Sequence, residues 1–173
     1  MDFKSMNPLG IIGIIGAVIL VVGVFIGWLS FEAGSTTYTW SGLDVFNNAT
    51  KGDGWVSLDE HVGYKYVPLV ALLCGIISLL LMIVPTIMNT EKFTQINNIL
   101  GLVALILSAV VVICGLLFYM QSWTVDLVIG TATYKLTDVY SIGIGFWLVL
   151  VGGIITLVGG LMPIIKNKLL NKA

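Results

Sequence analysis

Four stretches of this chain run without one Asp, Glu, Lys or His: residues 5–31, 66–90, 93–125 and 139–165. Each exceeds the roughly 20 residues that an α-helix needs to cross the hydrocarbon core of a bilayer. No other stretch qualifies, so the pattern predicts four transmembrane helices, over residues 9–30, 67–88, 96–119 and 142–165. Between them lie an outer loop (31–66), a short inner turn (89–95) and a second outer loop (120–141). A tail (166–173) closes a single membrane domain. The inner turn is too short for a domain, so the second and third helices form an antiparallel hairpin.

The outer loops carry a different pattern. Residues 36–41, TTYTWS, are β-branched and aromatic, as a strand requires, and Trp55 to Leu58 reads as another short strand. In the second loop Trp123, Val125, Leu127 and Ile129 alternate with Thr124, Asp126 and Val128. Gly130 and Thr131 offer a turn back into residues 132–136. Isolated hairpins are marginal in water, so strands from both loops are expected to share one small antiparallel sheet over the outer end. The predicted fold class is therefore membrane all-α, a four-helix bundle with a small extracellular β-sheet.

Composition agrees with this pattern. The chain is 58% hydrophobic and 10% charged, with a mean hydropathy of +1.04, where soluble domains carry about 25% charged residues. The first apolar run is too long for a signal-peptide core and ends in Trp28, Leu29, Ser30, Phe31 and Glu32 rather than a small-residue cleavage site. It is read as a retained helix.

Charge sets the expected orientation. There is no arginine; Lys4, Lys92, Lys166, Lys168 and Lys172 fall on one side, Lys51, Lys65 and Lys135 on the other. The lysine-rich side is expected to be cytoplasmic, which places both termini inside. Asp2 and Glu91 join that side, whereas Glu32, Asp44, Asp53, Asp59, Glu60, Asp126 and Asp138 lie outside.

Small residues indicate how the bundle closes, because helices in lipid associate by close backbone approach. The first helix carries Gly10, Gly13 and Gly16, then Gly23 and Gly27; the fourth carries Gly143, Gly145, Gly152, Gly153, Gly159 and Gly160. Ala71 with Gly75, and Ala104 with Ser108, play that part on the other two. Gly23, Gly27, Gly152 and Gly153 are the residues expected to pack helix on helix. Packing within the bundle is the expected use of these faces; lateral contact with another membrane protein is the alternative.

Candidate chemistry is sparse. No ionisable residue lies in the middle of a span, where proton relays and ion paths would place one. Cys74 and Cys114 fall inside predicted helices and read as small packing residues, with no external disulfide framework. Asp53, Gly54 and Glu60 match the second half of a calcium loop, but its first and third positions would be Ala49 and Lys51, so a solvated turn is the better reading. His61, the single histidine, reads as an interfacial polar residue. Tyr64, Tyr66, Trp28, Trp123, Tyr140 and Trp147 fall where aromatic belts belong. Asn48-Ala49-Thr50 is a glycosylation sequon. No cofactor, metal site, catalytic group or nucleic-acid surface is expected.

The topology and the segment Trp40-Ser41-Gly42-Leu43-Asp44 together resemble the claudin and peripheral myelin protein superfamily. In that family a Trp near the end of the first helix precedes a W-x-G-L-W segment and two disulfide-bonded cysteines. Trp28 matches the first Trp, and Trp40, Gly42 and Leu43 match the segment, with Asp44 standing where the family has its last Trp. The loop holds neither cysteine. Lys135 to Tyr140, then Gly145-Phe146-Trp147 and VGGIITLVGG, look similar to the family's approach to its fourth helix.

The resemblance implies a non-enzymatic four-span protein that acts as a scaffold, adhesion or interaction subunit through its outer sheet. Its expected partners are membrane lipids and either another membrane protein or a second copy of itself. A channel or transporter component, with a cation path between protomers or an accessory role, is the alternative from another class. The absence of arginine and the abundance of Ile, Asn and Lys fit a microbial, AT-rich genome, and the expected location of this multi-pass chain is the plasma membrane of a microbe.

Overall fold

A computed structural model describes residues 8–49, 51, 65–87, 94–124, 126–129 and 132–170. The elements follow in the order α1 (Pro8–Phe25), β1 (Gly27–Ala33), β2 (Thr36–Ser41), α2 (Gly42–Phe46), α3 (Val67–Ile87) and α4 (Thr94–Thr124). The chain continues with β3 (Asp126–Ile129), β4 (Ala132–Lys135), α5 (Leu136–Val139), β5 (Ser141–Ile142) and α6 (Ile144–Leu170). The protein is thus mostly helical. α3, α4 and α6 are long and apolar enough to cross a membrane, while the apolar run of α1, Gly10–Phe25, is shorter.

α1 packs most extensively against α6, and α3 and α4 complete the bundle. The α1–α6 seam is built on glycine. A Cβ added at Gly16 would lie 2.5 Å from the Thr156 nitrogen, and one at Gly152 would lie 2.5 Å from the Leu20 nitrogen and 2.7 Å from the Gly16 carbonyl oxygen. One at Gly23 would meet the Gly145 carbonyl oxygen and the Val149 nitrogen, each at 2.9 Å. These are backbone atoms of the facing helix, so only glycine permits the approach, and dispersion between backbones then holds helices that lipid does not push together.

The other faces are the reverse. The exposed helix positions include Ile12, Ile15, Val18 and Val22 on α1, Leu73, Ile76, Ile77 and Leu80 on α3, and Val151, Ile154 and Val158 on α6. Glycine and alanine face inward and branched aliphatics face outward, so packing within the bundle is what the small residues serve.

Three expectations need correction. The first helix does not reach residue 30: it stops at Phe25, and Gly27 to Ala33 form β1. Hydropathy cannot separate a buried strand from a helix, and the chain leaves the helix to pair with β2 and β5. Gly27 is accordingly a strand residue, where an added Cβ would lie 2.6 Å from the Thr39 methyl carbon. TTYTWS is a strand as expected, but the second of the sheet. Finally, the segments share a sheet by a different route. β1 is the central strand, antiparallel to β2 and β5, while among the described residues β3 and β4 pair with each other.

α4 extends past 96–119 at both ends and α6 past 165, because their polar ends continue helices whose apolar middles alone mark them in hydropathy. α6 starts at Ile144 rather than 142 because Ser141 and Ile142 form β5. The segment Trp55 to Leu58 lies outside the described residues.

The two adjacent glycines of α6 separate the seam from its surroundings. A Cβ at Gly153 would meet a Val112 methyl carbon at 3.1 Å, a side chain able to give way. Alanine also favours a helix over glycine by about 1 kcal/mol. Gly153→Ala should therefore leave thermal stability in detergent close to wild type, whereas Gly152→Ala should lower it by about 1–3 kcal/mol, the usual cost of overpacking. Equal effects, or the reverse order, would refute the seam as described.

Candidate functional site

The end of the bundle that carries the sheet gathers the residues singled out in the sequence. β1 and β2 form a hairpin with Ala33 opposite Thr36, so its loop is Gly34-Ser35. Gly34 has φ +63°, a left-handed conformation natural to glycine, and an added Cβ there would meet nothing.

Along the paired strands Leu29 faces Trp40, Ser30 faces Thr39, Phe31 faces Tyr38 and Glu32 faces Thr37. Period-two alternation sorts these pairs. Leu29, Phe31, Tyr38 and Trp40 belong to the buried cluster or pack against it. Ser30, Glu32, Thr37 and Thr39 occupy the opposite face, and Ser141 of β5 extends it beside Ser30. The sheet therefore shows a face of hydroxyls with a single carboxylate. Thr37, Thr39, Glu32 and Ser141 are exposed.

Trp28 breaks the alternation, because both it and Leu29 are fully buried. The register slips between Gly27 and Leu29, making Trp28 the extra residue of a β-bulge. A bulge re-aims a side chain, and this one sends the indole into the bundle. There it lies edge-on to Phe118 and Phe146, with ring centroids at 5.5 and 5.7 Å. Its Nε1 donates a hydrogen bond of 3.0 Å to the Gly23 carbonyl oxygen, one of the last carbonyls of α1. The Trp28 carbonyl in turn accepts from the Gly143 nitrogen at 2.7 Å.

Trp40 is the second anchor. It is fully buried, its ring meets Tyr140 edge-on at 5.7 Å, and Tyr140 lies 5.6 Å from Phe31. Its Nε1 donates to the Ala49 carbonyl oxygen at 2.7 Å, tying β2 to the chain beyond α2. Burial pushes the Tyr140 phenol above its ordinary range, so the ring stays neutral.

Each residue after Trp40 has a separate task. Ser41 is the N-cap of α2; its hydroxyl accepts from the Asp44 nitrogen at 3.2 Å, and its own nitrogen donates to Asp44 Oδ2 at 2.9 Å. That reciprocal pair is a capping box. Gly42 has no positive φ, so it does not serve as a bend. It is small because an added Cβ would sit 2.8 Å from the Val24 carbonyl oxygen and 3.0 Å from both Pro68 Cβ and the Trp28 ring. Leu43 packs against the core cluster. Asp44 also pairs with Lys51 at 3.4 Å.

Partial burial by itself would raise the Asp44 carboxyl. The Ser41 hydrogen bonds and the Lys51 charge outweigh it, and hold the group below its ordinary value of 3.8.

Gly23 and Gly152 lie in the helix seam, and Gly153 faces α4. Trp28, Trp40, Gly42 and Leu43 come together at the junction of sheet and helices, and Gly27 joins them there through β1. Sequence reasoning missed Phe118 and Val45, both fully buried; Phe118 sits in an unbroken apolar run and nothing in its spacing marks it. Cys74 and Cys114 are free and pack against the core. Among the described residues no three His, Cys, Asp or Glu converge as metal ligands would. Asp53, Gly54, Asp59, Glu60, His61 and Tyr64 lie outside them. Compared with protein-family models, curated proteins and solved structures, the chain finds no match.

Trp40→Ala should cost about 3–5 kcal/mol, as loss of a fully buried Trp does, and open the 27–49 region to protease. Lys51→Ala should stay within about 0.5 kcal/mol, as half-exposed ion pairs do. Equal protease sensitivity of the two variants would contradict the anchoring role.

A second test follows from the capping box. Because the folded-state value of Asp44 is depressed, its stabilisation is complete above the unfolded value near about 4. It fades as pH falls through the folded value. Thermal unfolding of wild type should therefore lose stability over that acidic window more steeply than Asp44→Asn. Parallel curves would show that the carboxylate is not stabilising.

Proposed function

We propose that this chain is a four-span membrane protein of claudin-like build that works without catalysis, as an interaction subunit. Its sheet is the recognition surface for another membrane protein or a second copy of the chain. The observation that carries this reading is the division of labour between the two surfaces. The helices turn branched aliphatics outward and keep glycine for themselves, a surface suited to lipid chains. Among the described residues the sheet turns a row of hydrogen-bonding groups outward, Glu32, Thr37, Thr39 and Ser141, on a platform pinned by two buried tryptophans.

In this reading α1 makes the first crossing with help from β1. α1 spans about 27 Å, slightly short of a bilayer core, and the fully buried Trp28 and Leu29 extend the apolar stretch. Non-helical backbone at that depth is tolerable only where its polar groups are satisfied, and β1 pairs on both sides there, with Ser41 and Trp40 of β2 and with Ile142 of β5. Lysine distribution orients the sheet outward, in the plasma membrane of a microbe. The resemblance to the claudin superfamily rests on the sequence at Trp28, Trp40, Gly42 and Leu43; in the fold these residues join sheet to bundle. A cation path lined by outer carboxylates draws no support from Asp44, whose charge is engaged by Ser41 and Lys51.

A photo-crosslinking amino acid placed at Thr37 in cells tests the reading, with the same residue at Ile154 on the α6 outer face as comparison. A discrete, recurrent protein adduct is expected from position 37 and only lipid adducts from position 154. No protein adduct from 37, or the same adducts from both, would overturn it.

A further inference from the structure

Among the described residues of the long helices, three polar side chains are buried: Ser78 of α3 at 1% exposure, and Ser108 of α4 and Thr156 of α6, both at 0%. Ser108 Oγ donates to the Ala104 carbonyl oxygen at 2.7 Å and Thr156 Oγ1 to the Gly152 carbonyl oxygen at 2.8 Å, each to its own preceding turn. Both keep oxygen lone pairs for a further donor. Ser78 Oγ has no hydrogen-bond partner among the described residues.

The packing places the three at one level. Gly75, one turn before Ser78, faces Leu20 and Val21; Met82, one turn after it, faces Gly13. Ser78 lies on that same face of α3, opposite Gly16 and Ala17 of α1. Gly16 abuts Thr156, which fixes the α6 level. On α4, Gly101 faces Gly160 while Val111 and Val112 face Gly153, so Ser108 between them stands level with Thr156. The α1 residues at this level are among the smallest available.

We propose that Ser78, Ser108 and Thr156 form a hydroxyl layer in the centre of the bundle that binds a water molecule. The Ser78 hydroxyl donates to the water oxygen, and the two water hydrogens donate to the Ser108 and Thr156 oxygens. That gives the water about three hydrogen bonds, the usual number for a buried one, and satisfies a hydroxyl that lipid cannot. The layer ties α3 to the tightly packed α6 side of the bundle.

Met82, 3% exposed and one turn from Ser78, is a built-in reporter. X-ray irradiation of the full chain in lipid nanodiscs generates hydroxyl radicals from water where it is held, and these oxidise an adjacent thioether. Met82 should acquire sulfoxide in wild type and lose that signal in Ser78→Ala, which should also melt at a lower temperature because bridging bonds are gone. Absence of Met82 oxidation in wild type, oxidation unchanged in Ser78→Ala, or a higher melting temperature for that variant would each overturn the proposal. The last is the response of a dry, unpaired hydroxyl relieved of its burial.

Discussion

The carbonyl end of α1 is the point on which the rest of this structure depends. A helix leaves its last carbonyls without partners, and here the Gly23 and Val24 oxygens lie against protein. The Trp28 indole takes the Gly23 oxygen. The oxygens of Val24, Ile26 and Gly27 come so near Gly42, Gly145 and Gly143 that a side chain at any of the three would collide with them. Two chain segments far apart in sequence, one around Gly42 and one around Gly143 and Gly145, are thereby brought to one helix end. The sheet can begin immediately after Phe25 because that end is closed by contact.

From there the sheet and bundle share one aromatic core. Trp28 reaches Phe118 of α4 and Phe146 of α6, while Trp40 reaches Tyr140 just before β5. Edge-to-face pairs of this kind add about 0.5–1.5 kcal/mol each beyond buried area. They act where helices end and lipid packing no longer suffices. The sheet is therefore an extension of the bundle core, joined to it by side chains from three helices or their flanks.

What could be read from residues alone follows from which forces leave a local mark. Long apolar runs are marked by composition, so α3, α4 and α6 were visible. The glycine seam was visible because Gly16 and Gly23 on one helix, and Gly145 and Gly152 on the other, each recur two turns apart. TTYTWS was visible as a strand through its β-branched and aromatic residues. β1 was not, because its Gly-Trp-Leu start continues an apolar run and its pairing partners lie elsewhere in the chain. For the same reason Gly27 looked like a helix residue, and β5, with two residues, left no pattern. Gly42 was legible as special through a family resemblance, but its reason, the Val24 carbonyl and Trp28 ring against it, exists only in three dimensions.

The bulge at Trp28 has a consequence for how this protein can change. By absorbing one residue, it lets a tryptophan enter the bundle while the strand beyond keeps its phase. The outward positions Ser30, Glu32, Thr37 and Thr39 then share no packing duty with Leu29, Phe31, Tyr38 or Trp40. Variation at the outer positions rewrites what the surface displays and leaves its foundation untouched. A fold wired in this way separates the residues the sheet exposes from those that hold it to the bundle, within two adjacent strands.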